Sequence, residues 1–182
     1  TDEDVAAGRG MANVYGRFFR HLAGRAKEEF PDKKLFLLCY ADAANAPVDP
    51  QWFLPDNVEI MLCDGRLPLK IRDGRAPEAT MKRFTEWSRA LGGRPIARVW
   101  LYSNGLNRFA RAVGPELVKE VPKALGGLLG REELFYDYWG SDDLWHYFYS
   151  AYAMYKSMWN PDFDQDAALS EMWRNLFGDE AG

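Results

Sequence analysis

KKLFLLCYA, residues 33–41, decides the fold. Its five central residues are all apolar, too few for a helix and without polar alternation. A short apolar run of this kind reads as a strand buried on both faces of a parallel sheet. Pro31 and Asp32 stop the segment before it, where Val14, Phe18, Phe19, Leu22, Ala26 and Phe30 recur at three- and four-residue spacing and predict an amphipathic helix over 13–30. The form then repeats downstream. NVEIMLCDG at 57–65, ARVWLYSNG at 97–105 and EELFYDYWG at 132–140 read as three further strands. A helix is predicted over 77–91, opened by Pro77 and closed by Gly92 and Gly93, and another over 115–129.

Strands that alternate with helices imply an α/β fold with parallel strands and helices packed outside. The crossover DAANAPVDPQWFLPD at 42–56 breaks the alternation, because its prolines allow at most a short helix and suit a long loop at a strand end. Two helices, over 142–159 and 164–177, are expected after the fourth strand, with NPDFD as the turn between them. No other repeat and no low-complexity linker appears, so residues 1–182 read as a single domain. Four such strands fit a small open sheet or half of an eight-stranded barrel. The abrupt opening in a helix, with a polar or aromatic cluster after each strand, argues for the half barrel. In βα folds the carboxyl ends of the strands carry the site, because the loops that follow them converge on one face.

Those clusters supply the candidates. Tyr40 and Asp42 follow the first strand, Asp64 the second, Tyr102 and Asn104 the third, and Asp137, Tyr138 and Trp139 the fourth. Side chains alternate along a strand, so Trp100, Tyr102 and Asn104 share one face and Asp137 and Trp139 another. Rings beside carboxylates and amides suit carbohydrate: rings cover the apolar face of a pyranose while Asp or Asn bonds its hydroxyl groups. Asp42, Asp64 and Asp137 are therefore the catalytic candidates, and Tyr40, Tyr102, Asn104, Tyr138 and Trp139 the substrate-binding ones. Each Asp also has a purely structural reading, as a loop or cap residue. The aromatic stretch 134–152 divides in two. Trp145, Phe148, Tyr152, Tyr155 and Trp159 repeat at helical steps and read as core, whereas FYDYWGS is a strand end and its loop. His146 within that helix, and His21 in the first, read as packed or surface residues.

The composition narrows the field further. With a net charge of -4 and basic residues scattered among acidic ones, no stripe is present to neutralise a phosphate backbone, and nucleic acid is not an expected partner. The absence of GxGxxG and GxxxxGK[ST] disfavours nucleotide phosphate chemistry, and the absence of a GxSxG elbow disfavours a small serine hydrolase. Cys39 and Cys63 lack metal-ligand spacing and read as buried thiols, so neither metal nor cofactor is expected. No apolar run reaches the roughly 18 residues of a membrane span, and no membrane partner is expected.

Three stretches carry a resemblance. FPDKKLFLLCYADAANAP, LPDNVEIMLCD and AYAMYKSMWNPDFDQDAALSEMWRNLFGDEA resemble segments of the domain-of-unknown-function family 4838, which includes glycoside hydrolase family 163 and is similar in architecture to the α-glucuronidases. The most specific piece is WNPDFD followed by LFGDEA, whose spacing is held over residues 159–181. The resemblance implies a TIM (β/α)8 barrel of which this chain is the second half, strands five to eight, completed by the remainder of the barrel. It implies a glycoside hydrolase acting on an oligosaccharide or glycan, by analogy a retaining endo-β-N-acetylglucosaminidase that uses the substrate acetamido group as nucleophile. It places the principal acid after strand four, upstream of Thr1, and leaves binding and stabilising residues here. A secreted or periplasmic location follows from the same resemblance. The alternative is a noncatalytic carbohydrate-binding protein on the same barrel.

Overall fold

The computed structural model describes residues 11–64, 67–102, 115–130, 134–137, 152, 156, 160 and 164–178. Helix α1 (Ala12–Glu29) leads into strand β1 (Leu35–Cys39), and β2 spans Val58–Cys63, β3 Arg98–Tyr102 and β4 Leu134–Asp137. A short α2 (Leu67–Lys70) and α3 (Glu78–Ala90) connect β2 to β3, α4 (Pro115–Leu125) precedes β4, and α5 (Gln165–Phe177) comes last. The crossover between β1 and β2 carries only two 3-10 turns, Ala41–Ala44 and Pro50–Trp52, as its prolines predict. The one-turn helix α2 was not foreseen. Most of the expected helix 142–159 lies outside the described residues, though Tyr152 and Lys156 are helical.

The helix ends follow from local chemistry. α3 opens on Pro77, has Glu78 in its first turn, and ends where Gly92 and Gly93 take left-handed backbone (φ 71° and 85°) that lets the Gly93 N–H reach the Ser88 carbonyl at 2.9 Å. In α5, the Asp164 carboxylate accepts from the Ala167 N–H at 3.0 Å, and Gly178 (φ 84°) terminates the helix. α4 stops earlier than predicted because Gly126 turns left-handed (φ 53°), and a 3-10 turn over Gly126–Leu128 replaces its last turn.

The four strands form one parallel sheet in the order β1-β2-β3-β4. Leu35 pairs with Val58 and Cys39 with Leu62; Cys63 pairs with Trp100; Trp100 pairs with Phe135 and Tyr102 with Asp137. Successive right-handed crossovers that always step the same way place their connecting elements on one face of the sheet. The burial agrees. Leu37 and Cys39 of β1, Val58, Ile60 and Leu62 of β2, and Val99 and Leu101 of β3 join a single core with Phe19 and Ala23 of α1, Phe84 and Trp87 of α3, and Val121 and Leu125 of α4.

The expectation that every strand is buried on both faces fails at β1. Phe36 and Leu38 remain 39% and 43% exposed between the buried Leu37 and Cys39. Helices cover one face of the sheet, and nothing among the described residues covers the other to the same extent.

Buried polar side chains fix the crossover against this layer. Asn13 accepts from the Val48 and Asp49 N–H groups and donates to the Asp49 carboxylate at 2.7 Å, which ties the crossover to the start of α1. Gly16 lets it approach, since a Cβ there would lie 2.6 Å from Pro47 Cβ. At the opposite end of the sheet, the Arg94 guanidinium donates to the carbonyls of Leu91, Asp56, Val58 and Pro55 and satisfies both the end of α3 and the start of β2.

Candidate functional site

The register brings the strand ends together in rows. Cys39 pairs with Leu62, so Tyr40, one step further, stands level with Cys63, and Cys63 pairs with Trp100. Tyr40 and Trp100 therefore flank Cys63 on the sheet face that the helices leave uncovered. Their rings meet across it, with centroids 5.6 Å apart and planes tilted by 53°. Offset or tilted pairs of this kind hold each other in place while presenting apolar ring surface outward. Cys63 is buried beneath them, and Tyr40 remains 45% exposed.

Two residues further along, Tyr102 and Asp137 occupy paired register positions at the ends of β3 and β4. Paired positions share one side of the sheet, so the expectation of a separate face for Asp137 does not hold. One row in the opposite direction, the Arg98 guanidinium lies over the Phe36 ring at 4.9 Å, and Lys34 Nζ meets Glu59 Oε1 at 2.5 Å. The uncovered face thus carries rings and charges where the helix-covered face carries almost only aliphatic side chains.

Asp64 occupies a different position from the other strand-end candidates. Its backbone N–H continues the ladder to the Trp100 carbonyl at 3.1 Å, but its side chain turns to the helix side. There the carboxylate is 3% exposed and accepts from Lys70 Nζ at 2.6 Å, Arg83 Nη2 at 2.6 Å and Thr80 Oγ1 at 3.1 Å. Lys70 belongs to α2 and Thr80 and Arg83 to α3, so this carboxylate fastens both helices to the end of β2. Its acceptor capacity is taken by three donors, two of them cationic.

The remaining candidates are placed only in part. Asp42 lies in the 3-10 turn that follows β1. Asn104, Tyr138 and Trp139 fall outside the described residues. Alternation in the sequence puts Trp100 with Tyr102 and Asn104, yet its partner Tyr40, sixty positions earlier, becomes visible only with the register. Cys39 and Cys63 are both buried thiols, and burial pushes the Cys39 thiol up to about 12. No group of His, Cys, Asp and Glu able to hold a metal ion occurs among the described residues, and no described helix is long and apolar enough to cross a membrane.

Sheet order, helix placement and the convergence of strand ends define a parallel α/β protein whose open sheet face bears an aromatic pair. The chain belongs to the family described as Domain of unknown function (DUF4838), whose family model matches residues 1–182. No curated protein and no solved structure matched the chain.

Proposed function

We propose that this chain forms four consecutive βα units of a (β/α)8 barrel of the glycosidase type, and that the uncovered sheet face lines a carbohydrate site inside it. The observation that carries the reading is the Tyr40–Trp100 pair at the carboxyl ends of parallel strands, on the one face the helices do not cover. A barrel interior needs side chains on that face to fill it or to line a pocket, and active sites of such barrels gather at the carboxyl ends of the strands.

The outer side of the fold supports the same reading. Met11, Phe18 and Leu22 form one exposed stripe of α1, distinct from the Phe19 and Ala23 side that enters the core. An edge strand with exposed Phe36 and Leu38, flanked by a helix with an exposed apolar stripe, suits a further βα unit packed against β1.

In this reading Tyr40 and Trp100 cover the apolar face of a sugar ring, and Tyr102, Asn104, Asp137, Tyr138 and Trp139 are its further binding candidates. The reaction is glycoside hydrolysis, by a retaining route in which the substrate acetamido group serves as nucleophile. That route requires one carboxylic acid to protonate the leaving oxygen and a polar group to orient the acetamide. Asp64, held by Lys70, Thr80 and Arg83, acts by keeping α2 and α3 in place.

A noncatalytic carbohydrate-binding protein is the second reading, favoured by one observation: Asp64, the best-defined strand-end carboxylate, is already engaged. The test is release of N-glycans from a glycoprotein by the full-length protein, with glycan binding measured beside it. Hydrolysis supports the enzyme, binding without hydrolysis supports the second reading, and neither one contradicts both.

A further inference from the structure

Away from the strand ends, α1 and the crossover enclose a groove of about 400 Å³ on the outer surface. Arg17, Arg20, His21 and Trp52 line one part of it, and Gly24, Arg25 and Glu28 the rest. Positions 17, 21, 24 and 28 recur at helical spacing, so the groove follows a stripe of α1 separate from its Phe18 and Leu22 stripe. The size suits a ligand of one or two rings.

The charge in the groove is uneven. Arg25 Nη2 meets Glu29 at 2.7 Å, and its other nitrogen lies 4.0 Å from Glu28, so that part is neutralised. Among the described residues no carboxylate forms an ion pair with Arg17, Arg20 or His21. The Arg17 guanidinium lies 6.0 Å from the indole centroid, and Arg20 donates one N–H to the Phe53 carbonyl. The ring contact and the carbonyl bond hold the two exposed guanidinium groups beside Trp52 and leave most of their N–H donors for a ligand. Gly24 forms an open floor, since a Cβ there would meet nothing within 4 Å. A basic groove on a chain of net charge -4 is a local reversal of sign.

We propose that this groove is a binding site for an anionic ring compound: a ring bearing a sulfate, phosphate or carboxylate, its anionic group on Arg17, Arg20 and His21 and its flat body against Trp52. The site is independent of the proposed barrel interior and of any glycan chemistry there.

The experiment follows chemical shifts and heats of binding at low salt with four probes: a monosaccharide sulfate, the same monosaccharide without sulfate, inorganic sulfate, and an Asp/Glu-rich peptide. The monosaccharide sulfate is expected to bind several-fold more tightly than inorganic sulfate, and the uncharged sugar not to bind. Arg17→Gln should weaken it about tenfold, the scale of one charge-assisted hydrogen bond. Gly24→Leu should abolish binding by filling the floor while leaving the melting temperature unchanged or raised, because a Cβ there meets nothing within 4 Å and Leu favours helix. Failure of the monosaccharide sulfate to bind, equal affinity for inorganic sulfate, preference for the acidic peptide, or indifference to Arg17→Gln and Gly24→Leu each overturns the proposal.

Discussion

The two faces of the same sheet are built from neighbouring residues and differ in almost every respect. On the helix side, Leu37, Cys39, Ile60, Leu62, Val99 and Leu101 are buried in one aliphatic layer. One residue away along the same strands, Phe36, Leu38 and Tyr40 are exposed and Glu59, Arg98 and Trp100 half-buried, with a cation over a ring and a ring against a ring. The first face has the composition that maximises burial of apolar area. The second mixes rings and charges with apolar side chains. Asp64 sharpens the contrast: a carboxylate at a strand end serves the helix layer when three donors hold it, whereas the residues on the open side retain exposed ring surface.

The largest effect is expected on the covered face. Trp87 is fully buried and donates its indole N–H to the Ala44 carbonyl at 2.9 Å, so Trp87→Ala removes both a core ring and the partner of a crossover carbonyl. A loss of about 3–5 kcal/mol in denaturant unfolding is expected. A cost below about 1 kcal/mol contradicts the core described here.

Next comes the clamp. Asp64→Ala leaves Lys70 and Arg83 without their shared carboxylate but still partly in solvent, and a loss of about 1.5–3 kcal/mol is expected. If Asp64 only positions helices, glycan hydrolysis by the surviving folded protein falls in proportion to the folded fraction. A far larger loss of activity in a protein that remains folded returns Asp64 to the chemistry.

The covered face was legible from the sequence because its signals are local. Short, largely apolar runs of four to six residues gave four strands and their order, and Asp164, Pro77 and Gly178 marked helix ends through chemistry that acts within a few residues. The division of faces was not legible. In Leu35–Cys39 all five residues are apolar, so the pattern does not distinguish the side that helices cover from the side they leave open. The site suffered from the same limit. Asp64 reads identically as a reacting group and as a clamp until Thr80 and Arg83 are brought to it by α3, and Tyr40 reaches Trp100 only through the strand register.

Smaller effects test how the open face is covered. Leu38 is 43% exposed here, so Leu38→Ala should cost under about 1 kcal/mol in this chain alone. In the full-length protein, where the proposal packs that face inside a barrel, the cost should rise to about 2 kcal/mol or more. Equal costs in the two contexts contradict the barrel. A further effect appears only at alkaline pH. Burial raises the Cys39 thiol from 9.0 to about 12, so the unfolded chain ionises first, and the contribution of this group, complete below pH 9, is lost as pH rises toward 12. The melting temperature should fall along that alkaline limb, and Cys39→Ala should flatten it. A limb unchanged by Cys39→Ala assigns it to other groups.

The central claim is that the open face at the carboxyl ends of β1 and β3 holds a sugar ring, and its most direct measurement is glycan hydrolysis by full-length Trp100→Ala and Tyr40→Ala beside their thermal unfolding. Each variant removes one half of the ring pair. The expected result is a fall in kcat/KM of about ten- to a hundredfold, with unfolding shifted far less than for Trp87→Ala. Wild-type hydrolysis by both folded variants contradicts the site, and loss of the fold on a par with Trp87→Ala makes Tyr40 and Trp100 core residues with no part in binding.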